Sequence, residues 1–155
     1  MLPSPGDGGR QASTLLVGRG VRRLWRALGY ATLSELTLAD GRRADIVALG
    51  ADTSLHIIEV KSSLADFRAD QKWPDYLCHC DRFYFAVPAD LPSALMPADT
   101  GLIIADSYGA AIVREAPEAR LNAGTRRALL LRFAQAAALR LHDIQDPASR
   151  AGPED

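Results

Sequence analysis

The sequence predicts one α/β domain: a mixed sheet covered by helices, in the order helix, three-strand meander, helix, strand, hairpin, helix. Three observations carry it. Apolar residues recur at helical spacing over 13–28 and 124–142. Three short strand-like runs follow one another between tight turn signals. A fourth such run, RFYFAV over 82–87, is reached only through a helical stretch, which places it parallel to a neighbouring strand, since parallel pairs need a long crossover.

In the first helix Leu15, Leu16, Val21, Leu24, Trp25 and Leu28 form the apolar stripe, Arg19, Arg22, Arg23 and Arg26 lie between them, and Gly29 is placed to end it. Strands over 31–38, 43–49 and 54–61 are separated by Ala39-Asp40-Gly41 and Gly50-Ala51-Asp52, so two hairpins make an antiparallel meander. Ser62-Ser63 opens a helical stretch over 64–80, broken near Trp73-Pro74 because a proline disfavours helix in the residue before it. Pro88 ends the fourth strand, 101–106 and 110–114 form a hairpin, and Leu129, Leu130, Phe133, Ala137 and Leu141 mark the last helix. Residues 1–11 read as a Gly/Pro-rich flexible arm, 12–145 as the single domain and 146–155 as a flexible tail.

With 155 residues, 48% hydrophobic and 24% charged, the chain is long and apolar enough for a sizeable core. It has no run of the length that a membrane helix needs, no signal-peptide core, and two cysteines too close together to brace a fold, so a reducing cytoplasm is the expected home and no membrane the expected context. Net charge is −1, but its distribution is uneven: no acid lies between Asp7 and Glu35, where five arginines fall, and Glu118 alone faces five arginines up to Leu141. Of 18 basic residues only Lys61 and Lys72 are lysine. Phosphate-binding glycine loops, dinucleotide fingerprints, the serine-hydrolase elbow and the H-E-x-x-H pair are all missing, which removes support for those chemistries.

Strand alternation puts Leu55, Ile57, Glu59 and Lys61 on one face of the third strand and His56, Ile58 and Val60 on the other. A carboxylate and an ammonium thus emerge side by side where an apolar strand ends. Asp45 is embedded in the second strand among Ala44, Ile46 and Val47, and the hairpin brings it alongside. Two converging carboxylates and a lysine are the set used in metal-assisted phosphodiester hydrolysis, where acids hold one or two Mg²⁺ ions, the metal polarises the phosphate, and a small tunable ammonium orients water or balances charge. Spacing alone leaves a cross-strand salt bridge on a solvated sheet face as an equal reading.

Asp45 followed after thirteen residues by Glu59-Val60-Lys61 resembles the D…(D/E)-x-K signature of restriction-endonuclease-like nucleases, the PD-(D/E)XK superfamily, whose core has the same order of helix, three strands, helix and strand. The longer stretch RRADIVAL, IIEVKSS and ADFRADQKWPDYLCHCDRFYFAVP is similar to the MmcB family of bacterial DNA repair proteins within it. The resemblance, over roughly residues 13–115, implies a DNA repair nuclease. On it Asp45 and Glu59 would ligate Mg²⁺ (or Mn²⁺), the Val60 carbonyl would complete the shell, and Lys61 would be the catalytic lysine. It implies DNA as partner, with other repair proteins beside it. Many members carry an acid on the first helix; helix 13–28 has none, and Glu35 is the nearby candidate. Where relatives have Gln-x-x-x-Tyr, this chain has Lys72-x-x-x-Tyr76 with Gln71 one position early, so Lys72 or Gln71 would position water or a phosphate. The alternative within the same fold is a catalytically weak or inactive DNA-binding repair factor.

The other polar residues weigh differently. Arg19, Arg22, Arg23 and Arg26 span two helical turns, either a solvated face or a phosphate-tracking patch, and Tyr76 is either core or a base-stacking ring beside the site. Asp66 reads as a helix cap, and Asp66, Asp70 and Asp75 either solvate a helix face or, by their density near Lys61, take a part in the site. Cys78-His79-Cys80 lacks the spacing and second ligand pair of a zinc site.

Overall fold

The computed structural model describes residues 5–150. Its six-stranded sheet has strands in sequence order: β1 (Ala31–Thr37), β2 (Arg43–Leu49), β3 (Leu55–Val60), β4 (Arg82–Val87), β5 (Gly101–Ala105) and β6 (Ala110–Arg114). β1–β2, β2–β3 and β5–β6 are antiparallel, whereas β3–β4 and β4–β5 are parallel. The meander, the parallel fourth strand and the last hairpin therefore follow the expected order. The β4–β5 crossover contains only a short 3₁₀ turn, Ser93–Leu95, which the sequence pattern did not announce.

Helix α1 (Pro5–Ala27) covers one face, where Val17, Val21 and Trp25 pack with Ile46, Ile58, Tyr84 and Ile103. It ends as the glycine predicted: Gly29 has φ +91°, its N–H bonds the Arg26 carbonyl, and the Tyr30 N–H reaches back to Trp25. Its start differs. The helix begins at Pro5 and takes in 5–11 of the segment read as an arm; a proline suits the first turn, where its missing N–H costs nothing. Asp7 therefore falls within this helix, which corrects the reading of an acid-free first helix. The rest of the arm, residues 1–4, lies outside the described residues.

The other face is covered by α2 (Leu64–Ala69), a 3₁₀ turn (Trp73–His79) and α3 (Ala123–Gln145), with Tyr76, Leu129 and Phe133 packed on Leu55, Ile57, Phe83 and Phe85. The expected stretch over 64–80 is thus two pieces. α2 stops at Ala69, Asp70 turns extended, and Gln71 folds back to the Phe67 carbonyl before Pro74 opens the 3₁₀ turn. α3 is longer than expected by about a turn, and a 3₁₀ turn at Pro147–Arg150 begins the segment read as a tail, the remainder of which lies outside the described residues. α3 is pinned to the sheet by Arg126, whose guanidinium grips both oxygens of buried Asp81 at 2.7 Å while that carboxylate also accepts the amides of Leu55 and Leu121. No described helix is long and apolar enough to cross a membrane.

Candidate active site

β3 is buried along its whole length, and at its end it stays bonded to β4 through the Lys61 amide and the Ala86 carbonyl, 2.9 Å apart. On its other side the sheet opens. Paired positions of β2 and β3 run from Leu49↔Leu55 to Ile46↔Ile58 and stop one step short of Asp45 and Glu59. β1 and β2 pair on either side of Glu35 and Asp45, at Ser34↔Ile46 and Leu36↔Ala44, but not at them. Side chains fill the gap: the Asp45 N–H donates to Glu59 Oε1 at 3.0 Å, and the Val60 N–H donates to Asp45 Oδ2 at 2.9 Å. Two carboxylates thus stand where backbone carbonyls would normally complete the ladder.

The row continues into β1 at Glu35, which holds φ +53°, a left-handed conformation uncommon for a residue with a side chain. Its exposed carboxylate pairs with Arg43 at 3.8 Å and lines the same cleft, a space of about 590 Å³ bounded by Asp45, Glu59, Val60, Lys61, Asp66 and Asp70 and, from α1, by Gln11, Thr14 and Leu15.

Burial pushes the Asp45 and Glu59 carboxyls up, and for Glu59 the neighbouring Asp45 charge adds to it, carrying its pKa to about 9. Glu59 therefore keeps its proton through neutral pH. A buried pair of facing acids, one of which retains its proton, is a site a hard cation can claim, and Mg²⁺ takes one or two carboxylates plus water. Asp45 and Glu59 supply two carboxylates of that kind, bonded across the opened edge of β2 and β3. Among the described residues no three acid, histidine or cysteine side chains converge in a metal-holding cluster, so Glu35 lines the cleft without closing a third position.

Lys61 is buried and its Nζ lies 2.9 Å from Asp70 Oδ2. Burial works against its ammonium, but the Asp70 bond and the charges of Asp70, Asp66 and Glu59 outweigh it, leaving the pKa raised. Asp66 accepts from the Ser62 N–H while its own N–H is capped by Ser63 Oγ, so it closes the start of α2, as a capping acid should.

Three expected residues stand apart from this chemistry. Gln71 is exposed and bonded to its own helix end, and Lys72 is exposed with its amide on Asp70, so neither side chain lines the cleft. Tyr76 borders the cleft but is buried, and its hydroxyl donates to the Arg43 carbonyl at 3.1 Å, which makes it a brace for β2 rather than an open stacking ring. Of the acids near Lys61, Asp70 is the one that pairs with it, turned onto the lysine by the early end of α2. His79 bonds Asp40, Cys78 is exposed and Cys80 is buried.

The four arginines of α1 are exposed and line a second groove of about 690 Å³, with Tyr30, Ala31 and Thr32 on its far wall. One helix thus borders the acidic cleft through its early turns and a basic groove through its late ones.

Comparison with known proteins gives three findings. A family model described as MmcB-like, DNA repair protein MmcB-like, matches residues 3–148. The solved structure of SPO1766, a protein of unknown function from Silicibacter pomeroyi, is similar at 43% identity and TM-score 0.87, covering 92% of this chain and 97% of that one. A repair endonuclease from Pyrococcus abyssi is similar at 14% identity and TM-score 0.34, over 60% of this chain and 41% of that one. No curated protein matches the chain.

Proposed function

The chain belongs to the MmcB-like family of DNA repair proteins, and on that footing we propose that it is a metal-dependent nuclease of restriction-endonuclease-like fold that hydrolyses DNA phosphodiester bonds at the Asp45–Glu59–Lys61 cleft. The observation that carries this reading is the opened sheet: two carboxylates bridge β2 and β3 just where the pairing of those strands ends, beside a buried lysine. A structural salt bridge would place Lys61 on one of those acids, whereas here the lysine is held by Asp70 and the acid pair keeps a proton.

Mg²⁺ or Mn²⁺ on Asp45, Glu59 and the Val60 carbonyl would supply Lewis-acid polarisation of the phosphodiester. The remaining roles belong to the chain. Glu59, which keeps its proton in the metal-free protein, would have to release it to bind a cation. Lys61, kept protonated by Asp70, acts as a fixed positive charge that stabilises the negative charge developing on the phosphate rather than as a base. Arg19, Arg22, Arg23 and Arg26 hold backbone phosphates along α1, which makes binding salt-dependent. Glu35, on the cleft wall, would be the candidate ligand for a second cation.

A weaker activity within the same fold is favoured by one observation: the described residues bring only two carboxylates together. Incubation of the purified protein with supercoiled, linear, single-stranded and branched DNA, with Mg²⁺ or Mn²⁺ and with EDTA, separates the readings. Metal-dependent cutting supports the nuclease. Salt-sensitive binding with no cutting of any substrate selects the DNA-binding factor.

A further inference from the structure

The β5–β6 turn carries an aromatic ring that the fold leaves in solvent: Tyr108 is 82% exposed. The backbone beneath it is nonetheless tightly held. Asp106 Oδ1 accepts the N–H groups of Tyr108 at 2.8 Å and Gly109 at 3.0 Å, and Arg23 Nη1 on α1 donates to the Tyr108 carbonyl at 3.2 Å. Gly20 permits this approach of helix to hairpin, because a Cβ there would stand 2.0 Å from the Asp106 carbonyl oxygen and 2.5 Å from that of Gly109. The backbone that carries the exposed ring is therefore held against the helix that bears the arginine stripe.

Under the ring lies a groove of about 640 Å³ between α1 and the hairpin, lined by Leu16, Val17, Pro88, Ile104 and Ala110. Leu16 is 47% exposed in it. Thr14 and Leu15 border the acidic cleft while Ser13, Leu16 and Val17 border this groove, so the two depressions flank the same turns of α1. An apolar groove and an exposed ring, with Arg23 at its base and the arginine stripe continuing along α1, suit a ligand with a flat apolar face on an anionic backbone. Duplex DNA keeps its base faces stacked inside; an unpaired nucleotide presents them.

We propose that Tyr108 is a stacking platform for an unpaired base of DNA, with the neighbouring arginines of α1 holding its phosphates, so that the substrate class is single-stranded or locally unpaired DNA. This names the substrate of the DNA-acting site proposed above and rests on that reading. The exposure of Tyr108 means that its replacement leaves the core intact, which unchanged thermal melting of the variants verifies.

The test is fluorescence anisotropy, without metal, of the full chain binding a labelled oligothymidine, a duplex of the same length and an abasic strand. Tyr108→Ala is expected to weaken oligothymidine binding about fivefold or more, and Tyr108→Phe to keep it within about twofold, while duplex and abasic binding change by less than about twofold. Unchanged oligothymidine affinity in Tyr108→Ala overturns the proposal, as does an equal loss on the abasic strand. Failure of the wild-type protein to bind any of the three at low salt overturns the DNA reading itself, and this inference with it.

Discussion

Arg140, near the end of α3, donates from Nη2 to the carbonyl of Glu35 at 3.0 Å, and from Nη1 to the adjacent Ser34 carbonyl. A helix on the far side of the chain thus holds the edge strand where Glu35 adopts φ +53° and where β1 and β2 skip a pair opposite Asp45. The strain sits beside the cleft, and the guanidinium supports the kink by donating to both of its carbonyls.

Arg140→Ala is accordingly expected to cost about 1 kcal/mol of stability, the usual net value of such bonds. Glu35→Val, which places a β-branched residue in the left-handed region, costs about 1–2 kcal/mol, whereas Glu35→Gly is close to neutral. Urea unfolding of the three variants checks the ranking; an equal cost for Val and Gly contradicts the conformational account.

Glu59 makes stability depend on pH in a definite direction. Its folded pKa is raised from the ordinary 4.5 to about 9, so its contribution is complete below about pH 4.5 and is lost progressively as pH rises towards 9. Glu59→Gln removes that loss and should stabilise the metal-free protein by about 1–3 kcal/mol at pH 8, with little effect at pH 4. Mn²⁺ titration near pH 7, followed by calorimetry in buffers of different ionisation enthalpy, should release about one proton in the wild type. Metal binding without proton release contradicts the protonated Glu59.

Much of this arrangement was legible in the sequence because strand periodicity is strict. A two-residue period and a short hairpin suffice to put Asp45 opposite Glu59 and to point Glu59 and Lys61 the same way. RFYFAV, apolar and closed by Pro88, ends where its punctuation says. Sequence gave less away where long-range contacts override local pattern. Gly8 and Gly9 disguise the first turns of α1, nothing local marks the kink at Glu35, and the early end of α2 sends Asp70 to Lys61 while turning Gln71 and Lys72 aside.

Asp70 is therefore a residue to remove. Its carboxylate is held below the ordinary range: burial opposes this, but the Lys61 bond, the Lys72 amide and nearby cations prevail. Asp70→Asn keeps the shape and takes the charge from the buried ammonium, with an expected loss of about 10- to 100-fold in cleavage rate and a Lys61 that titrates at lower pH. A shift of the rate profile to lower pH on the alkaline side is the readout; an unchanged profile places Asp70 outside the site's electrostatics.

Asp81 gives the acid limit of the fold. Burial opposes ionisation, but the Arg126 bonds and the amides of Leu121 and Leu55 hold its pKa at about 2. Its stabilisation is present above the unfolded value near 3.8 and lost as pH falls through about 2. Asp81→Asn should cost about 2–4 kcal/mol at pH 7, by leaving the largely buried Arg126 without its counter-charge. Thermal unfolding from pH 7 down to pH 2 should bring wild type and variant together at the acid end; a constant gap contradicts the assignment.

The most direct measurement is DNA cleavage in Mg²⁺ or Mn²⁺ by the wild-type protein beside Asp45→Ala, Glu59→Ala and Lys61→Ala, each shown by circular dichroism to be folded. The account predicts cutting by the wild type that EDTA abolishes, and a loss of about a hundredfold or more in every variant. Cutting that persists unchanged in all three would show that the Asp45–Glu59–Lys61 cleft is not where the phosphodiester is broken.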